Sequence, residues 1–182
     1  MSRLTVLSGP SGVGKRTVIT ALRRHYPHVW VSVSCTTRAP RPDETEGLDY
    51  YFVDRERFAK MIEAGELLEH AEFAGNLYGT PRQPVLDHLA AGVPTILEIE
   101  LAGARQVRRS MPEARFVFLA PPSLDVLIQR LQDRGTETAD AIAARLGHAH
   151  AELASENEFD EVIVNNDVEQ AAHELAALIA DE

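Results

Sequence analysis

Four short, mostly apolar runs punctuate the chain, each bounded by a turn signal. Leu4–Ser8 stops at Gly9-Pro10, Val93–Ile99 follows a glycine, Arg115–Ala120 stops at Pro121-Pro122, and Glu161–Asn165 ends in polar residues. Runs of this kind predict strands buried on both faces, as in a parallel sheet. Between them the apolar positions recur three and four apart. Ser123 precedes Leu124, Leu127, Ile128 and Leu131, and Asp167 precedes Val168, Ala172, Leu175 and Ile179, so each polar residue can cap an amphipathic helix. Lys15–His25 and Leu101–Ser110 are further helix candidates. Strands alternating with helices imply crossover units, and hence an α/β fold whose sheet is covered on both sides.

The stretch from Trp30 to Ala91 reads differently. Trp30–Ser34, Tyr50–Val53 and Leu67–Phe73 look like short strands with polar interruptions. Asp54 can cap a helix carrying Phe58, Met61 and Ile62, and Gly65 can stop it. This predicts a small α+β insertion between the first two core strands. The polar stretch Arg134–Ala141 predicts a loop between two helices.

Composition narrows the partners. A chain of 182 residues suits one domain, and 18 Lys plus Arg against 28 Asp plus Glu leaves a net charge of −10. That balance argues against nucleic acid and anionic membranes as partners, while leaving room for a phosphorylated small molecule in a local basic pocket. The sole cysteine, Cys35, excludes an intrachain disulfide and a cysteine-based zinc site. The seven histidines show no metal-ligand spacing; His148 and His150, two apart, fall on different helix faces. No run approaches the roughly 20 apolar residues of a membrane span, and no signal peptide opens the chain, so a soluble cytoplasmic protein is expected.

Gly9-Pro10-Ser11-Gly12-Val13-Gly14-Lys15 sits between a strand and a helix with the spacing G-x-x-x-x-G-K of a phosphate-binding loop. Glycines let successive N–H groups turn toward phosphate oxygens, the helix start adds a positive dipole end, and Lys15 adds a full charge. The next position, usually a Ser or Thr that touches Mg²⁺, is Arg16, followed by Thr17. A guanidinium has no acceptor and cannot ligate a metal. Further on, Arg38 and Arg41, hinged by prolines, can converge on one phosphate.

From here the chain resembles the guanylate kinases, nucleoside monophosphate kinases that make GDP from GMP and ATP. The resemblance runs from Leu4 to about Ala180 and rests on GPSGVGK, SVSCTTRAPRP, GLDYYFV, GELLEHAEFAGNLYGTP, LEIELAGA, FLAPPS, RGTET and VIVNND in family order. It implies a P-loop three-layer sandwich: a core of residues 1–31, 92–123 and 150–182, a GMP-binding insertion of about 32–91 and a helical lid of about 124–149. Gly9 to Thr17, with Arg134 and Asn165, would bind ATP. Arg38, Arg41, Tyr50 and Tyr78 would hold the GMP phosphate, and Ser34, Glu69 and Thr80 the guanine. The physical logic agrees, since guanine presents two adjacent donors that one carboxylate accepts in parallel, whereas adenine leaves that carboxylate unpaired.

Glu98 and Glu100 stand where the family usually has aspartates, and serve guanine contact, outer-shell support of Mg²⁺ or the capping of neighbouring loops. Lys15, Arg38, Arg134 and Arg145 would be the catalytic charges, with Arg130 bracketing the lid. Asn165 and Asn166 match the adenine-side loop, or form a plain turn. The expected substrates are ATP with Mg²⁺ and GMP, the expected assembly a monomer or homodimer. The rival reading is a non-catalytic guanylate-kinase-like module that binds a phosphoprotein; Arg16 is the feature that leans that way.

Overall fold

In the computed structural model, residues 2–133 and 138–180 are described. The strands, in chain order, are β1 (Leu4–Ser8), β2 (Trp30–Val31), β3 (Cys35–Thr36), β4 (Tyr51–Phe52), β5 (Leu67–Phe73), β6 (Asn76–Pro81), β7 (Thr95–Glu98), β8 (Arg115–Ala120) and β9 (Glu161–Val164). The helices are α1 (Lys15–His25), α2 (Arg55–Glu63), α3 (Arg82–Ala90), α4 (Leu101–Ser110), α5 (Leu124–Gln132), α6 (Ala139–Leu153) and α7 (Val168–Ala180).

β1 is buried at every residue because it lies at the centre of a five-stranded parallel sheet, order β2-β7-β1-β8-β9. Alternate side chains serve opposite layers. Leu7, Ile96, Val117 and Ile163 pack under α1 and α7, against Val18, Leu22, Ala172 and Leu175. Leu4, Val6, Leu97 and Phe116 pack under α3 and α4, against Val85, Leu89, Ala104 and Val107. The sheet is therefore the middle of three layers, as the alternating pattern predicts. Its edge strand β9 departs from that pattern, with Val162 and Val164 exposed.

Trp30–Ser34, read as a strand of the insertion, is corrected. Only Trp30 and Val31 are extended in a ladder, and they join the core sheet beside Thr95 and Ile96 of β7. Val31 is buried there, while the polar Ser32 and Ser34 have no apolar side to offer the core. Trp30 also stacks face to face on His88 of α3, with ring centroids 3.9 Å apart.

A second, four-stranded sheet has the order β4-β3-β6-β5. β5 and β6 form a hairpin whose turn is Ala74-Gly75, both at positive φ (50° and 78°), the twist that a two-residue hairpin loop needs. This sheet and α2 share a core of Cys35, Phe58, Met61 and Leu67. Asp54 caps α2 by accepting from the Arg57 amide at 2.7 Å, and Gly65 ends the segment at φ +67°, as the sequence predicts; Ile62, however, faces solvent.

α3 escaped the sequence reading because only Val85 and Leu89 are buried and Pro84 interrupts its first turn, where the missing N–H costs nothing. Ala139–Ala141, read as loop, is the first turn of α6, capped by Thr138. α5 and α6 meet through Leu127, Leu131 and Ala149.

Candidate active site

The phosphate loop follows β1 directly. Gly9 is forced by close approach: a Cβ there would lie 2.4 Å from the Leu119 carbonyl of β8. Gly14, at φ +100°, begins α1, and a Cβ there would lie 2.8 Å from Asn165 Nδ2. Lys15 is buried, donates to the Gly9 carbonyl at 2.7 Å and lies 3.6 Å from Glu100 Oε2. The ammonium is thus folded back over its own loop, beside Glu100, the residue that precedes α4.

Three side chains brace this loop from behind. Arg130 Nη1 (3.1 Å) and Asn165 Nδ2 (2.9 Å) both donate to the Val13 carbonyl, and the Ser11 amide donates to Glu152 Oε2 at 3.1 Å. Asn165, expected toward adenine, and Arg130, expected at the lid, are both tied to the loop itself. Glu152 went unnoticed because its partner lies 141 residues away and nothing local marks it. Burial pushes its carboxyl upward, opposed by the Ser11 amide.

The basic segment after β3 is organised by a carboxylate that the sequence reading also missed. Glu44 accepts from Arg38 at 2.7 and 3.0 Å and from the Arg41 amide at 2.8 Å. These bonds, Arg38's first, hold its carboxyl down at about 2, and they raise Arg38 further above its already high value. The Arg38 guanidinium lies 5.3 Å from the Tyr50 ring centre, and Tyr50 meets Tyr78 edge to face at 6.1 Å. Arg38, Tyr50 and Tyr78 thus form one cluster, while Arg41, exposed, joins it only through its backbone amide on Glu44. Only spacing to an acidic neighbour three residues beyond Arg41 could have flagged Glu44.

Glu69 on β5 is buried, opposite Thr80 on β6, whose hydroxyl donates to Oε1 at 2.7 Å. Burial raises the Glu69 carboxyl, partly offset by that hydroxyl. Gly103 of α4 makes the room: a Cβ there would sit 2.7 Å from Glu69 Oε2. If Glu69 takes the guanine that the resemblance implies, Gly103→Ala should therefore lower kcat/KM for GMP about 10- to 100-fold, mainly through KM, with KM for ATP unchanged. Initial rates at varied GMP check this, and an unaltered KM for GMP would refute it. Ser34 is half-buried in the segment leading into β3, where its carbonyl accepts from the Tyr51 amide.

Glu98 ends β7 and feels Lys15, Arg16 and Glu100; burial nevertheless pushes its carboxyl upward. Arg16 and Thr17 are exposed on the first turn of α1. Arg145 lies half-buried on α6, and Arg134 falls outside the described residues.

A glycine loop and buried lysine at the end of a central parallel strand, beside a second sheet that carries the Arg38–Glu44 pair and a buried carboxylate, define the P-loop phosphotransferase class. The Guanylate kinase family model matches residues 1–182. The chain belongs to the guanylate kinase family, and is an ATP:GMP phosphotransferase of the nucleoside monophosphate kinase type. It is 65% identical to the guanylate kinase of Frankia casuarinae over 176 residues, 97% of this chain and 96% of that one. It is 61% identical to that of Thermobifida fusca over 178 residues, 98% of this chain and 91% of that one. The guanylate kinase structure from Anaplasma phagocytophilum superposes with a TM-score of 0.75 at 37% identity, covering 98% of this chain and 84% of its own. A sugar kinase from Janibacter shares the fold alone (TM-score 0.52, 18% identity, 99% and 96% covered). Among the described residues no helix is long and apolar enough to cross a membrane.

Proposed function

We propose that the reaction is divided among the three parts expected from the sequence, with core 1–31, 92–123 and 150–182 binding ATP, residues 32–91 binding GMP and residues 124–149 closing over both. What supports this is the first turn of α4. Its capping residue Glu100 lies beside Lys15, and Gly103, one turn on, packs against Glu69, so one helix end fixes the phosphate loop relative to the base pocket.

ATP lies along Gly9–Thr17, its phosphates met by loop amides and Lys15. GMP presents its base edge to Glu69, Thr80 and Ser34 and its phosphate to Arg38, Arg41, Tyr50 and Tyr78. Glu44, already on Arg38, keeps that fork aimed while the phosphate arrives. An oxygen of the GMP phosphate then attacks the γ-phosphorus, the bond to the β-phosphate oxygen breaks, and ADP leaves. That oxygen is ionised near neutral pH, so no general base is needed; positioning and charge carry the catalysis. Lys15, Arg38, Arg134 and Arg145 supply the positive charge.

Mg²⁺ fits the oxygen donors beside Lys15. Position 16 offers no ligand, so Glu98 and Glu100 are the groups to hold it, through water; when bound, it neutralises phosphate charge. Coupled ADP release with ATP–Mg²⁺ and, separately, GMP, dGMP, AMP, CMP and UMP tests the assignment. Turnover should be confined to GMP and dGMP, with AMP slower by about three orders of magnitude or more. GMP binding without turnover would overturn it in favour of a binding module.

A further inference from the structure

Folding does what the histidine spacing in the sequence does not. His25, the last residue of α1, and Glu169 and His173, four apart on α7, converge at the surface, each offering one ligand atom within 4.8 Å of the other two. We propose that these three residues form a binding site for a borderline divalent cation of the Zn²⁺ type, which clips α1 to α7.

The two helices are already locked together by Val18, Ile19 and Leu22 against Ala171, Ala172 and Leu175, so only side chains need adjust. His25 Nε2 and Glu169 Oε2 are 2.6 Å apart, sharing a proton. Ligand atoms around a tetrahedral Zn²⁺ sit about 3.3 Å apart, so exchanging that proton for a metal widens the pair by less than about 1 Å. Two imidazoles and a carboxylate, with water completing the shell, are a zinc donor set; Mg²⁺ prefers all-oxygen shells.

The surroundings resemble a second coordination shell. Tyr26 hydroxyl lies 2.6 Å from His173 Nδ1 and fixes that ring, while Arg24 engages the other Glu169 oxygen and orients the carboxylate. The C-terminal carbonyls of α1 add negative potential next to His25. None of these residues touches the phosphate loop or the GMP pocket, so the site is separate from the chemistry.

Calorimetric titration of the full chain with ZnCl₂, without nucleotide, tests the proposal. One Zn²⁺ per chain should bind with Kd of about 10 µM or tighter, with a rise in Tm, and millimolar Mg²⁺ should reproduce neither. His25→Ala and His173→Ala should each weaken binding about tenfold or more and abolish the Tm rise, leaving turnover with ATP–Mg²⁺ and GMP intact. No saturable zinc binding below about 100 µM, or binding that survives both substitutions undiminished, would overturn it.

Discussion

Lys15→Met should lose about three orders of magnitude in kcat while binding GMP as the parent does. Methionine keeps the apolar stem in its buried slot and removes only the ammonium, which donates to the Gly9 carbonyl at 2.7 Å. In the role proposed for Lys15, that charge meets phosphate oxygens whose negative charge shifts as the γ-phosphoryl moves. Fixed charges aimed at a developing charge in a dry site are the largest single catalytic term in such enzymes. A thousandfold loss corresponds to about 4 kcal/mol. The substitution also leaves a buried carbonyl unpaired, at a cost of about 1–3 kcal/mol in stability, so a melting curve must accompany the kinetics. A kcat within about tenfold of the parent, in a folded variant, would remove Lys15 from the catalytic set.

Glu69→Gln should cost kcat/KM for GMP about 10³-fold and erase most of the preference over AMP. The carboxylate can accept from both guanine donors at once; a carboxamide offers one acceptor and sets an N–H against the other donor. Thr80 would still reach one atom of the amide, so the pocket keeps its shape and the effect falls on the base. The parent's KM for GMP should also climb on the acid side. Because burial raises the Glu69 carboxyl, that climb begins at a higher pH than for an ordinary glutamate, and the Gln variant should lack it. The ratio of kcat/KM for GMP and AMP, measured across pH, decides; an unchanged ratio would sink the base assignment.

What the sequence made legible was local. Leu4–Ser8 and Arg115–Ala120 coincide with β1 and β8 because apolar residues on both faces are followed at once by Gly9-Pro10 or Pro121-Pro122. Asp54, Ser123 and Asp167 each accept the amide three residues on, as their spacing to the first apolar residues predicts. The phosphate loop announced itself for the same reason, all its parts being contiguous. Contacts across the chain beyond those that the resemblance implied were not legible. Glu152 reaches Ser11, Arg130 and Asn165 reach Val13, and Trp30–Val31 finds β7 only after the insertion has intervened. Glu44 lay in plain view, yet an acidic residue among prolines and threonines looks like any solvated loop until Arg38 is seen to close on it.

The central place of β1 also governs when the molecule can take shape. Leu4 pairs with Thr95 and Thr5 with Arg115, so the first strand made is flanked only by strands from the middle of the chain and beyond. The β5–β6 hairpin, closed by a two-residue turn, needs nothing distant and can form early. Loop-closure entropy for the central strand is repaid only once both neighbours exist. During synthesis the phosphate loop thus emerges well before the strands that flank β1, and it is among the later segments to become structured. Until residues near 120 have left the ribosome, a nascent chain holds the nucleotide-binding sequence without the strand that would shape it.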